Sequence, residues 1–281
     1  WGSTWLEVKE HLALAPAAWA LVYRFVLATA AMMALVAARR ESLRISAYAV
    51  RMALVLGLFQ FSANFLLGYA GAGYLTSGIV TVFFALLIIP NALAARVFFG
   101  DRLDRRLLAG SAVAVGGIAL LLLREYRFAP QGGMAVVIGI LCLFGAMMLS
   151  TASNLMQATP EARKQPLIPM IAWAMVIGLM ANTAYAGLTA GTPVVPASIG
   201  FWLGIGYLAI FGSVLTFPLY FYLVRRIGPG RASYTSVLVP VIGMSLSTVF
   251  EDYRWTLLTA SGAALAVLGL LIALSGRKQP V

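Results

Sequence analysis

Charge, and acidic charge above all, is what this chain has least of. Only 9 of its 281 residues are Asp or Glu, and charged residues of both signs make up 10%, against roughly 25% in a soluble domain. One cysteine, Cys142, excludes an intramolecular disulfide and a cysteine metal cluster. One histidine, His11, reads as a loop residue and closes the route to a histidine-based site. No paired carboxylates, Ser-His-Asp set or metal-ligand set can be assembled, and general acid–base chemistry needs titratable groups within reach of one another. The sequence therefore argues against an enzyme and calls for no cofactor and no metal. The start, Trp1–Ala13, lacks the basic region, long apolar core and small-residue cleavage site of a signal peptide.

What fills the space is apolar: 62% of residues are hydrophobic and the mean hydropathy is +0.92. The solvent for such a chain is lipid. A bilayer core of about 30 Å needs about 20 apolar residues per helix, and the uncharged runs Met52–Ala70, Thr76–Ala95, Leu107–Leu123, Ala232–Phe250 and Trp255–Gly276 have that size. Gln131–Pro160 fits one long span. Pro166–Val224 must fold back, and Gly191-Thr-Pro-Val-Val-Pro196 marks where. Trp1–Ala13 reads as the outer half of a first helix truncated in this sequence, and span two as Pro16–Ala38.

The net charge of +11 gives an orientation when it is counted by loop. Of 20 Lys and Arg, 14 fall in Arg39–Arg51, Arg102–Arg106, Arg163–Lys164, Arg225–Arg231 and Arg277–Lys278. The alternate connections hold only Lys9, Arg124, Arg127 and Arg254, and Arg24 and Arg96 lie inside spans. The first group is expected on the cytoplasmic side, the C-terminus with it, and no nucleic-acid partner is needed.

A repeat organises the whole. Pro90 is echoed by Pro240 and Asp101 by Glu251, 150 residues on, and Gly110 to Gly117 by Gly262 to Gly269 at a spacing of 152. The expected fold is an all-α polytopic membrane protein of ten transmembrane helices in two five-helix repeats, residues 1–123 and 131–276. An odd number of crossings per repeat turns the second upside down relative to the first, an architecture used by many secondary transporters.

Trp1-Gly-Ser, Pro16 followed by Arg24, Phe99-Gly-Asp-Arg-Leu103 and Gly110 to Gly117, in that order, resemble the drug/metabolite transporter superfamily in its ten-helix EamA branch. The resemblance spans the chain. It departs at Asp101, where the family usually has Glu, at Pro90, which sits a few residues late, and in the second half, which has no counterpart of Arg24. The resemblance implies a bacterial inner-membrane carrier. The aromatic richness is most similar to the aromatic amino-acid exporters of that branch, which implies efflux of Phe, Tyr and Trp through an apolar central cavity.

Intramembrane charge costs at least about 2.5–3.5 kcal/mol per group, so Glu7 and Arg24 need reasons. Both stand roughly 11–13 Å below the same end of their helices at 1.5 Å per residue, which predicts that they pair. Such a pair either locks helices one and two together or gates, with Arg24 alternatively taking a substrate carboxylate. Arg96 is near enough to a helix end to snorkel. On helix three Gln60 and Asn64, with Gly57 and Gly68 on the same face, form a polar stripe, as do Ser150, Ser153, Asn154 and Gln157 on helix six. These stripes either hydrogen-bond between helices or line a cavity. Tyr69, Tyr74, Trp202 and Trp255 read as interfacial anchors. Trp5, Phe83, Trp173, Tyr207 and Tyr234 are candidate rings for a flat ligand, completing a substrate set with Gln60, Asn64 and Asn154. Pro90, Pro218 and Pro240 bend their spans and are candidate hinges.

No acidic residue stands near a midplane, which favours uniport or exchange driven by the substrate's own gradient. Proton-coupled drug or metabolite efflux using Glu7 is the alternative. An intramembrane lipid-modifying enzyme is a further reading that the missing constellation weighs against. A scaffold gives no reason for an inverted repeat, and a sugar-nucleotide carrier would need clustered intramembrane cations. The expected partners are a small-molecule substrate and the bilayer, with the chain a monomer or a weak homo-oligomer.

Overall fold

A chain with this little polar surface must satisfy its backbone inside each segment, and among the described residues the elements are helices, with no strand. The computed structural model describes residues 1–101, 105–128, 132–251, 253 and 255–275. Arg102, Leu103, Asp104, Asp252, Arg254, Arg277, Lys278 and the side chain of Tyr234 lie outside the described residues.

The longer helices are α1 Thr4–Leu12, α2 Ala17–Ala38, α3 Ala47–Ala72, α4 Ser77–Phe99, α5 Arg105–Phe128, α6 Gly133–Ala158, α7 Leu167–Thr189, α8 Ile199–Ile227, α9 Leu238–Phe250 and α10 Leu257–Ser275, with single helical turns at Pro160–Arg163 and Pro229–Ala232. The seven from α2 to α8 are long and apolar enough to cross a membrane, and α9 and α10 carry shorter apolar helices. Local chemistry sets the ends. Pro16 and Pro166 precede the first turns of α2 and α7, the hydroxyls of Ser46 and Ser198 accept the N–H groups of Ala49 and Phe201, and left-handed Gly100 (φ 72°) stops α4.

Four spans depart from α geometry. α3 contains a π-helical turn at Phe59–Ala63 and α8 another at Ile210–Leu215. α4 is interrupted between Ala85 and Ile88, and α9 is preceded by a 3₁₀ turn, Ser233–Val237. The three interior prolines account for three of these breaks. Pro90, Pro218 and Pro240 each follow the irregular stretch by a few residues, and each would otherwise crowd the carbonyl four residues back.

Glycine decides which helices cross closely. A Cβ on Gly110 or Gly117 would strike the backbone of α10 at Gly269, Ala273, Gly262 and Ala266, and Gly262 and Gly269 meet α5 in return. Gly78 and Gly243 seat α4 against α9, and Gly57 and Gly178 seat α3 against α7. The basic loops gather at one end. The Ser46 hydroxyl donates to Gln165 Oε1 at 2.7 Å, Arg225 Nη1 donates to the Gln165 carbonyl at 2.8 Å, and Trp173 Nε1 donates to the Leu43 carbonyl at 3.0 Å.

At the other end Lys9 of α1 lies 3.4 Å from Glu251 and donates to the Leu75 carbonyl at 3.0 Å, while the Ser77 N–H and hydroxyl donate to Glu251. Burial pushes the Glu251 carboxyl up, but the hydroxyls and N–H facing it, together with Lys9, outweigh burial and hold it below the ordinary carboxylate value. This cluster ties the ends of α1, α4 and α9 together.

Candidate substrate cavity

Thr4, Trp5 and Val8 give α1 one face toward the interior, and Trp1, three residues before α1 begins, lines the cavity beside them. Opposite them stand Gln60, Asn64 and Phe65 of α3, Ser150 and Asn154 of α6, and Phe217 and Tyr220 of α8. Phe84 and Leu87 from the interruption of α4, with Ser236 and Val239 around the start of α9, complete a half-open cavity whose free volume, measured to the centre of a water-sized sphere, is about 80 Å³. Rings dominate its wall. Trp5 stacks on Phe84 with centroids 5.0 Å apart and planes 13° apart, and Trp1 meets Tyr220 edge-on at 5.2 Å.

Arg24 of α2 enters the cavity wall, 2% exposed. Its guanidinium lies 4.6 Å from the Phe65 ring centre and donates to Ser213 Oγ at 3.1 and 3.2 Å, to the Gly212 carbonyl at 3.2 Å and to the Tyr69 hydroxyl at 3.3 Å. All these acceptors are neutral. The expected pairing with Glu7 is therefore corrected: Glu7 turns instead to His11, with Oε2 3.8 Å from Nε2. Depth along the two helices matched, but direction around α1 did not. At about 100° per residue, Glu7 stands roughly a third of a turn from the centre of the Thr4–Val8 face. It packs against α8 at Gly204, where a Cβ would strike both Glu7 and His11. His11 is also relocated, from a loop to the last turn of α1, 1% exposed and edge-on to Phe201 at 4.8 Å.

Of the residues singled out in the sequence, Trp5, Gln60, Asn64 and Asn154 come together on the cavity wall. Phe83 does not, because its neighbour Phe84 takes the inward direction. Trp173 lies near the basic end, 38% exposed and bonded to the Leu43 carbonyl, and Tyr207 faces Ser3 and Phe211. Tyr69, read as an interfacial anchor, is fully buried beneath Arg24. Gly57 and Gly68 do not share a face: the π turn between them adds one residue, and Gly57 packs on α7 while Gly68 packs on Trp5. The α6 stripe holds its face, with Ser150, Ser153, Asn154 and Gln157 all buried.

The cavity floor is a polar network. Asn91 Nδ2 donates to Ser233 Oγ at 2.6 Å, Asn154 Nδ2 donates to Asn91 Oδ1 and Tyr220 Oη at 3.3 Å each, and the Ser233 hydroxyl donates to the Pro229 carbonyl at 2.8 Å. Thr4, Val8, Leu87, Phe217, Ser236 and Val239 were not among the residues singled out in the sequence. The helical spacing of Thr4, Trp5 and Val8 was the available signal for two of them.

A cavity among membrane-length helices, walled by rings and one buried cation, is the setting in which the comparisons fall. The EamA-like transporter family matches residues 1–123 and again 137–275. The chain belongs to that family. It is 23% identical over 285 residues to protein PagO of Salmonella typhimurium, covering 100% of this chain and 91% of that one. It is 27% identical over 250 residues to the uncharacterized inner membrane transporter YedA of Escherichia coli K12, covering 88% and 78%. It is likewise 27% identical over 188 residues, 63% of this chain and 60% of that one, to a probable amino-acid metabolite efflux pump of the same bacterium. A crystal structure with 18% identity superposes with a TM-score of 0.71 over 99% of this EamA chain and 96% of its own, which shows the fold alone. The EamA chain is thus a multi-pass membrane protein of transporter type.

Proposed function

We propose that this protein exports small, partly hydrophobic metabolites, aromatic amino acids foremost, across a bacterial inner membrane by alternating access, as a uniporter or exchanger. The observation that carries this reading is the cavity: stacked and edge-on rings for an apolar group, and beside them a buried guanidinium that no carboxylate among the described residues neutralises. Two relatives bear names that support it, one an inner membrane transporter and one a probable amino-acid metabolite efflux pump.

In this reading residues 1–123 and 131–276 are two five-helix repeats of opposite topology, with the basic end and the C-terminus in the cytoplasm. Reciprocal glycine contacts between α5 and α10, π turns in both α3 and α8, and the family matching twice support that arrangement. Pro90, Pro218 and Pro240 serve as hinges beside the irregular turns. Counterflow in proteoliposomes with labelled Phe or Trp tests the function. Saturable exchange indifferent to an imposed pH gradient supports it, and no exchange of any amino acid removes the substrate class.

One observation favours a second reading, proton-coupled efflux. Glu7 and His11 lie 3.8 Å apart on one face of α1, pressed on α8 at Gly204. Export that requires an inward proton gradient in wild type, and loses that requirement in Glu7→Gln, selects it.

A further inference from the structure

The polar groups of the cavity are unbalanced in a way that describes a ligand. Arg24 carries five N–H groups. Nε and both hydrogens of Nη2 are engaged, Nη1 makes one bond, to Tyr69, and one Nη1 hydrogen has no acceptor. Among the described residues no Asp or Glu lines the cavity, and the groups that accept from Arg24 are neutral dipoles.

The complementary deficit lies on α3 and α6. Gln60 Oε1 and Asn154 Oδ1 are buried, receive no hydrogen bond and belong to residues of the same cavity. Their amide nitrogens are committed elsewhere, Gln60 Nε2 to Asn64 Oδ1 at 3.4 Å and Asn154 Nδ2 to Asn91 and Tyr220. Both residues are at least nine-tenths buried, at 3% and 0% exposure. A buried acceptor without a donor is costly, and so is a buried cation without an anion.

We infer that the cavity binds its substrate as a zwitterion. The carboxylate accepts from the open N–H of Arg24, the ammonium donates to Gln60 Oε1 and Asn154 Oδ1, and the apolar side chain lies against Trp5 and Phe84. This rests on the export reading and adds to it a rule of selection. A simple amine leaves the guanidinium without an anion and finds no acid in the cavity. A simple carboxylate leaves two acceptors bare. An α-amino acid supplies both charges one carbon apart, with its side chain free to face the rings.

Three matched ligands test the rule: tryptophan, tryptamine without the carboxylate, and indole-3-propionate without the ammonium. Each competes against labelled tryptophan in counterflow, and each is assayed by thermal stabilisation of the detergent-purified protein, a readout that needs no transport. In wild type, each one-charge analogue should act about tenfold or more weaker than tryptophan, the loss expected for one charge-assisted bond. Arg24→Gln should erase the penalty for tryptamine while keeping that for indole-3-propionate. Gln60→Met with Asn154→Leu should do the reverse. Arg24→Lys, which keeps a cation if Arg24→Gln fails to fold, should retain discrimination against tryptamine. Tryptamine matching tryptophan in wild type, or penalties that do not move with these variants, overturns the inference while leaving export intact. If no aromatic amino acid is exchanged, export of that class fails. The inference then stands only if amino acids stabilise the purified protein more strongly than their amine and acid analogues, and it falls if they do not.

Discussion

Arg24 and Asn182 perform the same service on different helices. Arg24 of α2 donates through Nη2 to the Gly212 carbonyl in the π turn of α8 at 3.2 Å, and Asn182 of α7 donates through Nδ2 to the Phe61 carbonyl in the π turn of α3 at 2.9 Å. A π turn disturbs the regular hydrogen-bond ladder, and each side chain serves a carbonyl within it. Asn182 thus makes with α3 the kind of contact that Arg24 makes with α8, and nothing in the residue pattern had pointed to it. Removing it should unmake the π turn of α3: Asn182→Leu is expected to cost about 1–2 kcal/mol, read as a lower melting temperature in detergent. Thr183→Leu, one position on and exposed, should change little.

The crossing of α5 and α10 is set by backbone contact, since a Cβ on Gly110 or on Gly269 would come well inside 3.0 Å of the other helix's main chain. Gly110→Val and Gly269→Val should each separate the helices and cut the yield of monodisperse protein, with at least about 1–3 kcal/mol lost to overpacking. Gly116→Ala, where nothing stands within 4 Å of the new carbon, should express and melt as wild type.

Glu7 and Arg24 make no ion pair, so the charge-reversed double variant Glu7→Arg with Arg24→Glu should not rescue either single change. Their effects on stability should add to within about 0.5 kcal/mol, measured as a double-mutant cycle on melting. Recovery in the double variant would restore the pairing that the geometry removes.

The Lys9–Glu251–Ser77 cluster has a defined pH window. Because the carboxyl of Glu251 in the folded protein lies below its ordinary value of 4.5, its contribution is complete above that pH and is lost as pH falls through the folded value. The melting temperature of Glu251→Gln should lie below wild type by a constant amount from pH 7 to about 5. The two curves should converge in more acid solution. A gap that stays open at low pH would contradict the charge-based account.

At the cavity floor, Ser233→Ala leaves Asn91 Nδ2 without its 2.6 Å acceptor and should destabilise by about 1–2 kcal/mol. Tyr220→Phe removes only bonds of 3.3 to 3.4 Å and should cost less. Both are read by thermal melting.

Much of the architecture was legible because lipid leaves a chain few choices. Uncharged runs located most of the helices, Pro90 and Pro240 pointed to the broken spans, and the glycines spaced by 152 residues proved to be the ones that touch. The face of α6 was legible for the same reason, since it is an uninterrupted α-helix and its residues keep their period. What was hidden was direction around an axis. Helix depth placed Glu7 beside Arg24, but azimuth turned it to His11. One extra residue in the π turn of α3 carried Gly57 and Gly68 to different neighbours, and no residue pattern announces such a turn. Phe83 and Phe84 differ only by one step around α4, too fine a distinction for a wholly apolar run.

The π turn at Phe59–Ala63 divides the loyalties of one rod. Before it, Gly57 is wedged on Ala174 and Ile177; after it, Asn64 is tied to the Ala146 carbonyl and Gly68 lies under Trp5. The two ends of α3 thus belong to separate neighbourhoods, and any slippage of one neighbourhood past the other has to be taken up as torsion within those five residues.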